Sequence, residues 1–131
     1  MTQEDKQLLL KDLSARFTYD IIVSVTDGTI KYNAYIESVS YKYIQVSPVD
    51  SDSIFTAYTF YKISEIKPYL RSMSSMTEEE EKEYFDKWGV LGTDDFDNYK
   101  IVDWLNSHHF DYRGLIGKGL ALEAPDGMYK F

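Results

Sequence analysis

The chain contains no cysteine. That removes disulfides, thiolate catalysis and Cys-based zinc or iron–sulfur sites from the functions open to it. Long apolar runs are missing too. Leu8-Leu9-Leu10, near the start, is far too short for a signal core or a membrane span, and Met1-Thr2-Gln3-Glu4-Asp5-Lys6 is acidic and polar rather than basic. The expectation is a cytoplasmic protein with no membrane partner. Positive charge is scarce: 14 Lys and Arg stand against 22 Asp and Glu, for a net charge of −8. The imbalance is concentrated in residues 71–99, which carry 9 acidic and 3 basic groups. Such a chain repels phosphate backbones and anionic surfaces, so direct nucleic-acid binding is not expected. No serine occupies a G-x-S-x-G elbow, and no carboxylate pair stands out from the acidic background.

What is abundant is apolar and aromatic surface. The 131 residues are 44% apolar and 16% aromatic, enough for a core and too rich for disorder through most of the chain. Tyrosine supplies 12 of the aromatics, and its ring with a polar tip suits half-wet positions in small barrels and interfaces.

Thr2 and Asp5 have capping-box spacing, and Leu9, Leu13 and Phe17 follow at helical intervals, which predicts a helix over residues 3–16. Alternation then takes over. Ile21, Val23 and Val25 share one face of a strand. Asp27-Gly28 marks a two-residue hairpin, and Ile30, Tyr32, Ala34 and Ile36 alternate with Lys31, Asn33, Tyr35 and Glu37 on the return. Further strands are expected over residues 41–47, 54–60 and 67–70, the last preceded by a one-turn segment at Ser64-Glu65-Ile66. Pro68 there fits an edge or a strand end, because it has no donor for a central ladder. Five short strands of this kind point to a small SH3-like β-barrel, with the first helix across one open end.

Residues 71–76 form the best linker candidate. Thr77 and Glu80 make a second capping box, with Glu78 and Glu79 in the first helical turn. Tyr84, Phe85 and Trp88 stripe this helix, and Gly89 is a terminator candidate. A further helix over 98–109 carries Ile101, Trp104, Leu105 and His108 on one face. Residues 119–124 read as a strand, and Pro125-Asp126-Gly127 would turn it into a short hairpin with residues 128–131. The fold class is therefore α+β. Residues 1–70 make helix and barrel, and residues 77–131 make a helical tail with a terminal hairpin, docked as one unit.

His108, His109 and Asp111 are the only local cluster with the composition of a metal or general-base site. Adjacent helical residues point about 100° apart, so the two histidines are poorly placed to share an ion. The plainer reading has His108 buried in the apolar stripe and His109 with Asp111 closing the helix end. Asp94, Asp95 and Asp97 open like a calcium loop, but Lys100 and Asn106 occupy the places of its glycine and closing glutamate. Gly114, Gly117 and Gly119 fit neither phosphate fingerprint, because Tyr112 and Leu122 stand where glycines are required. Glu78, Glu79, Glu80 and Glu81 could imitate nucleic-acid charge; a solvated helix face is the ordinary reading. Tyr35, Tyr41, Tyr43 and Tyr58 are the candidate contact residues of the barrel surface.

Three stretches, Lys67 to Glu80, Trp104 to Ile116 and Gly119 to Pro125, resemble an uncharacterised family of small proteins carried by gut anaerobic bacteria and their phages or mobile elements. The resemblance spans nearly the whole chain. It implies genomic context and transfers no activity and no site residue. The function expected is a non-enzymatic protein-interaction module, a phage or mobile-element accessory protein with a protein partner and no cofactor. Two alternatives stand beside it. One is a small metal-dependent hydrolase using His108, His109 and Asp111; the other is an acidic nucleic-acid mimic that binds a DNA-binding host protein through Glu78 to Glu81.

Overall fold

The computed structural model describes residues 1–28, 30–50, 59–90 and 95–130. Helix α1 (Gln3–Arg16) begins at the expected capping box: the Asp5 amide donates to Thr2 Oγ1 at 3.0 Å, and the Thr2 amide donates back to Asp5 Oδ2 at 3.4 Å. Its buried face is Leu9, Asp12, Leu13 and Arg16. Phe17 does not extend that stripe. It opens a single 3₁₀ turn, Phe17–Tyr19, and stays partly exposed while Arg16 takes the interior position.

Strands β1 (Ile22–Asp27) and β2 (Ile30–Val39) form the expected hairpin, with Asp27 opposite Ile30 and Gly28 at φ +61°. That backbone region suits glycine. Val23, Val25, Ala34 and Ile36 point inward as the alternation predicts. A register shift between Ile36 and Ser38 marks a β-bulge, after which β3 (Ile44–Pro48) continues the meander. Strand β3 starts three residues later than expected. The Ser40 hydroxyl donates to the Tyr43 carbonyl at 2.7 Å, and the Ser40 amide donates to the same oxygen at 3.1 Å. Those bonds close a turn that takes Tyr41 and Tyr43 out of the strand. Strand β4 (Thr59–Tyr61) pairs with β3; most of the stretch expected as the fourth strand, 54–58, lies outside the described residues. A 3₁₀ turn at Ile63–Glu65 then leads into β5 (Ile66–Leu70).

The sheet differs from the expectation in how it ends. The strands run β4-β3-β2-β1-β5-β6 in a curled, mixed sheet, where β6 is Leu122–Glu123 from the far end of the chain. Strand β6 lies parallel to β5, with Tyr69 opposite Leu122. Among the described residues β4 and β6 are the two outer strands, so the sheet is a half-barrel that the C-terminal region extends. The physical cause is backbone satisfaction. The outer side of β5 is covered by the tail, with Ala124 donating to the Leu70 carbonyl at 2.7 Å, and Arg71 and Phe110 forming a parallel bridge beyond it. Pro68 pairs opposite Val23 and precedes the two residues that meet β6. Among the described residues the outer side of β5 has no neighbouring strand there, so no donor is required.

The terminal hairpin is also absent among the described residues. Pro125–Gly127 does turn, with Met128 donating to the Pro125 carbonyl. Tyr129 then plugs inward instead of entering a ladder. Its hydroxyl accepts from the Ile22 amide at 3.1 Å and donates to the Tyr69 carbonyl at 2.7 Å.

Helix α2 (Glu78–Val90) starts at the second capping box, the Glu80 amide donating to Thr77 Oγ1 at 3.1 Å, and continues one residue past Gly89. Helix α3 (Asp95–Ser107) ends two residues before the expected limit, because His109 adopts a left-handed φ of +59°. A first core joins α1, the sheet and Leu115, Leu120 and Ala121 of the tail. A second joins Ile101, Trp104, Leu105 and Phe110 with Met73, Met76 and Tyr84. Residues 71–76 thus carry a strand bridge, a 3₁₀ turn at Met73–Ser75 and two core methionines.

Candidate interaction surface

The three tail groups of the hydrolase alternative are directed apart. His108 stacks on Trp104 with ring centroids 4.3 Å apart, and its Nδ1 donates to the Trp104 carbonyl at 2.8 Å. His109 is 1% exposed and donates from Nε2 to the Tyr19 carbonyl at 2.8 Å. A carbonyl only accepts, so that nitrogen carries the proton. Burial, assisted by the nearby Arg16 charge, lowers the His109 pKa to about 3 and keeps the ring neutral. Asp111 accepts from the Leu115 and Ile116 amides at 2.8 and 2.9 Å, capping the turn that Gly119 ends at φ +75°. Each group therefore serves a separate structural bond, local for His108 and Asp111 and long-range for His109. Among the described residues no three metal-binding side chains converge.

A buried polar hub, not anticipated from the sequence, ties α1 to the tail. Arg16 and Asp12 are fully buried and bonded at 3.0 Å, and Arg16 also donates to the Phe110 carbonyl at 2.5 Å. Arg113 lies 3.8 Å from the other Asp12 oxygen. Burial pushes the Asp12 carboxyl above the usual carboxylate range, against the opposing pull of Arg16 and Arg113. The one sequence signal was the i, i+4 spacing of Asp12 and Arg16, on the same face as Leu9 and Leu13.

Of the acidic run, Glu78, Glu79 and Glu81 are exposed, whereas Glu80 is half-buried and held by Arg71 through bonds of 2.6 and 2.8 Å. That hydrogen bonding keeps the Glu80 carboxyl below its ordinary range. The Arg71 guanidinium in turn lies over the Phe110 ring at 4.2 Å. Glu79, Glu83, Glu123 and Asp126 border an open cleft of about 660 Å³ beside this pair.

The candidate tyrosines divide. Tyr35 is half-buried, opposite Ile22, and faces a shallow depression shared with Tyr19 and Tyr129. Tyr58 lies outside the described residues. Tyr41 and Tyr43 stand together on the Ser40-closed turn, 79% and 48% exposed. Beside them, between the turn and α1, runs a groove of about 480 Å³. Its remaining walls include Gln3, Lys6 and Gln7 of α1, Lys42 of the turn, and Lys62, Ile63 and Ser64 ahead of β5. Among the described residues none of those lining it is acidic.

No family model, curated protein or solved structure matches the chain. Among the described residues no helix is long and apolar enough to cross a membrane.

Proposed function

We propose that this protein is a non-enzymatic protein-interaction module, an accessory protein of the phage or mobile-element kind, whose contact surface centres on the Tyr41–Tyr43 turn. The observation that carries the reading is the exposure of two large amphipathic rings on a turn fixed by its own side-chain hydrogen bonds. Such rings offer contact area at low conformational cost. They flank a concave groove, the usual form of a recognition site.

The finer reading of the curled sheet is an SH3-like unit: β1 to β5 in the order 4-3-2-1-5, with a 3₁₀ turn before the last strand. That architecture is a platform for binding, and the function is argued from the surface rather than from the fold. Enzymatic readings find less support, because His108, His109 and Asp111 are each engaged in a separate structural bond.

The test is capture from a lysate of the producing cells, using the wild-type chain and a Tyr41→Ser/Tyr43→Ser variant. At least one protein should be retained by the wild type and lost from the variant. Identical protein sets from the two baits would reject the turn as the contact surface.

A further inference from the structure

We infer that the groove between α1 and the Tyr41–Tyr43 turn takes a short acidic segment of a partner protein. This rests on the interaction reading above and adds the chemistry of the partner. Lys6, Lys42 and Lys62 converge on the groove from three separate parts of the chain, in a molecule of net charge −8. Among the described residues none of the three is ion-paired. Three such charges in a groove with no acidic lining residue among those described are an electrostatic complement for carboxylates. Leu10, Ile63 and the two tyrosine rings supply apolar contact between the charges. Gln3 and Gln7 carry both donors and acceptors, which suit the backbone of an extended peptide.

The same charge map argues against the two other anionic occupants. A nucleic acid carries one charge per phosphate well beyond the groove and meets the acidic surface elsewhere on the chain. A segment with a few carboxylates ends within the groove. The acidic helix α2 of a second copy is disfavoured as well. Glu80 of that helix is already held by Arg71 within its own chain.

The experiment is fluorescence anisotropy on the full chain with a labelled peptide of repeated Glu-Glu-Leu units. The comparison probes are the same peptide with Gln in place of Glu, and an oligothymidylate of equal charge. The acidic peptide should bind, the Gln peptide should not, and binding should weaken with added salt. A Lys6→Gln/Lys42→Gln/Lys62→Gln variant should bind about tenfold more weakly, since each rim charge contributes a modest amount. Lys42→Glu alone, at an exposed turn position, gives the same direction without touching α1. Equal binding of the acidic and Gln peptides, or unchanged affinity in both lysine variants, would overturn the inference. So would tighter binding of the oligothymidylate, or self-association of the free chain that the lysine variants abolish. If these fail while the tyrosine-dependent capture persists, the interaction reading stands and the acidic occupant is wrong.

Discussion

Acid should weaken this fold through His109 more than through any exposed group. The ring is buried, donates to the Tyr19 carbonyl and has a folded-state pKa lowered to about 3, against about 6.5 when unfolded. Between those values the unfolded chain binds the proton and the folded chain does not, so stability falls as pH falls. The contribution is intact above pH 6.5 and is lost progressively toward pH 3. At pH 4.5, two units below the unfolded pKa, the loss from this one residue is about 2.7 kcal/mol, at roughly 1.4 kcal/mol per unit. Asp12 works in the opposite sense. Its folded carboxyl titrates above the unfolded one, so the folded state takes up that proton first and gains stability as pH falls through the window. Urea unfolding of the wild type and of His109→Gln at pH 7 and pH 4.5 separates the two, because Asp12 is common to both proteins. Glutamine keeps an N–H donor for Tyr19 and cannot titrate. Its left-handed backbone cost is the same at both pH values and cancels in the difference. The wild type should lose about 2–3 kcal/mol more than the variant on acidification. An equal loss in the two proteins would refute the burial and neutrality assigned to His109.

Four other outcomes follow from the packing. Arg16→Met, which leaves Asp12 buried without its main partner, should cost about 3–5 kcal/mol; with an unfolding entropy of about 2 cal/mol/K per residue that lowers Tm by roughly 10–18 °C in calorimetry. Asp12→Leu/Arg16→Met together should recover much of that loss, since removing both charges removes the desolvation cost. Tyr129→Phe orphans the Ile22 amide and the Tyr69 carbonyl and should cost about 1–3 kcal/mol by urea titration. Tyr41→Ser, by contrast, should shift stability by less than about 0.5 kcal/mol, because the ring is exposed.

Local chemistry was legible in the sequence, and long-range pairing was not. Thr2 with Asp5 and Thr77 with Glu80 announced both capping boxes, and Asp27-Gly28 announced the hairpin, because each needs only residues within a few positions. The Tyr41–Tyr43 turn was hidden because it has no glycine or proline. A serine side chain closes it, and the tyrosines on either side continue the alternation of a strand. Residues 119–124 were read as a strand, and β6 forms there at Leu122 and Glu123; what no local pattern showed is its parallel partner, β5, some fifty residues earlier. The turn at Pro125–Gly127 was correctly marked, yet its outcome depended on Tyr129 finding backbone groups of β1 and β5, more than fifty residues away in sequence. The lysine groove is assembled from Lys6, Lys42 and Lys62. No spacing rule joins positions that far apart.

The central claim, a recognition surface at the Tyr41–Tyr43 turn and its groove, is tested most directly by zero-length carbodiimide cross-linking of the wild-type chain in lysate, read by mass spectrometry. Cross-links from lysine to partner carboxylates should concentrate on Lys42, Lys62 and Lys6 over the exposed Lys31, Lys67 and Lys118. Cross-links spread evenly over all six, or gathered on the other three, would contradict the account.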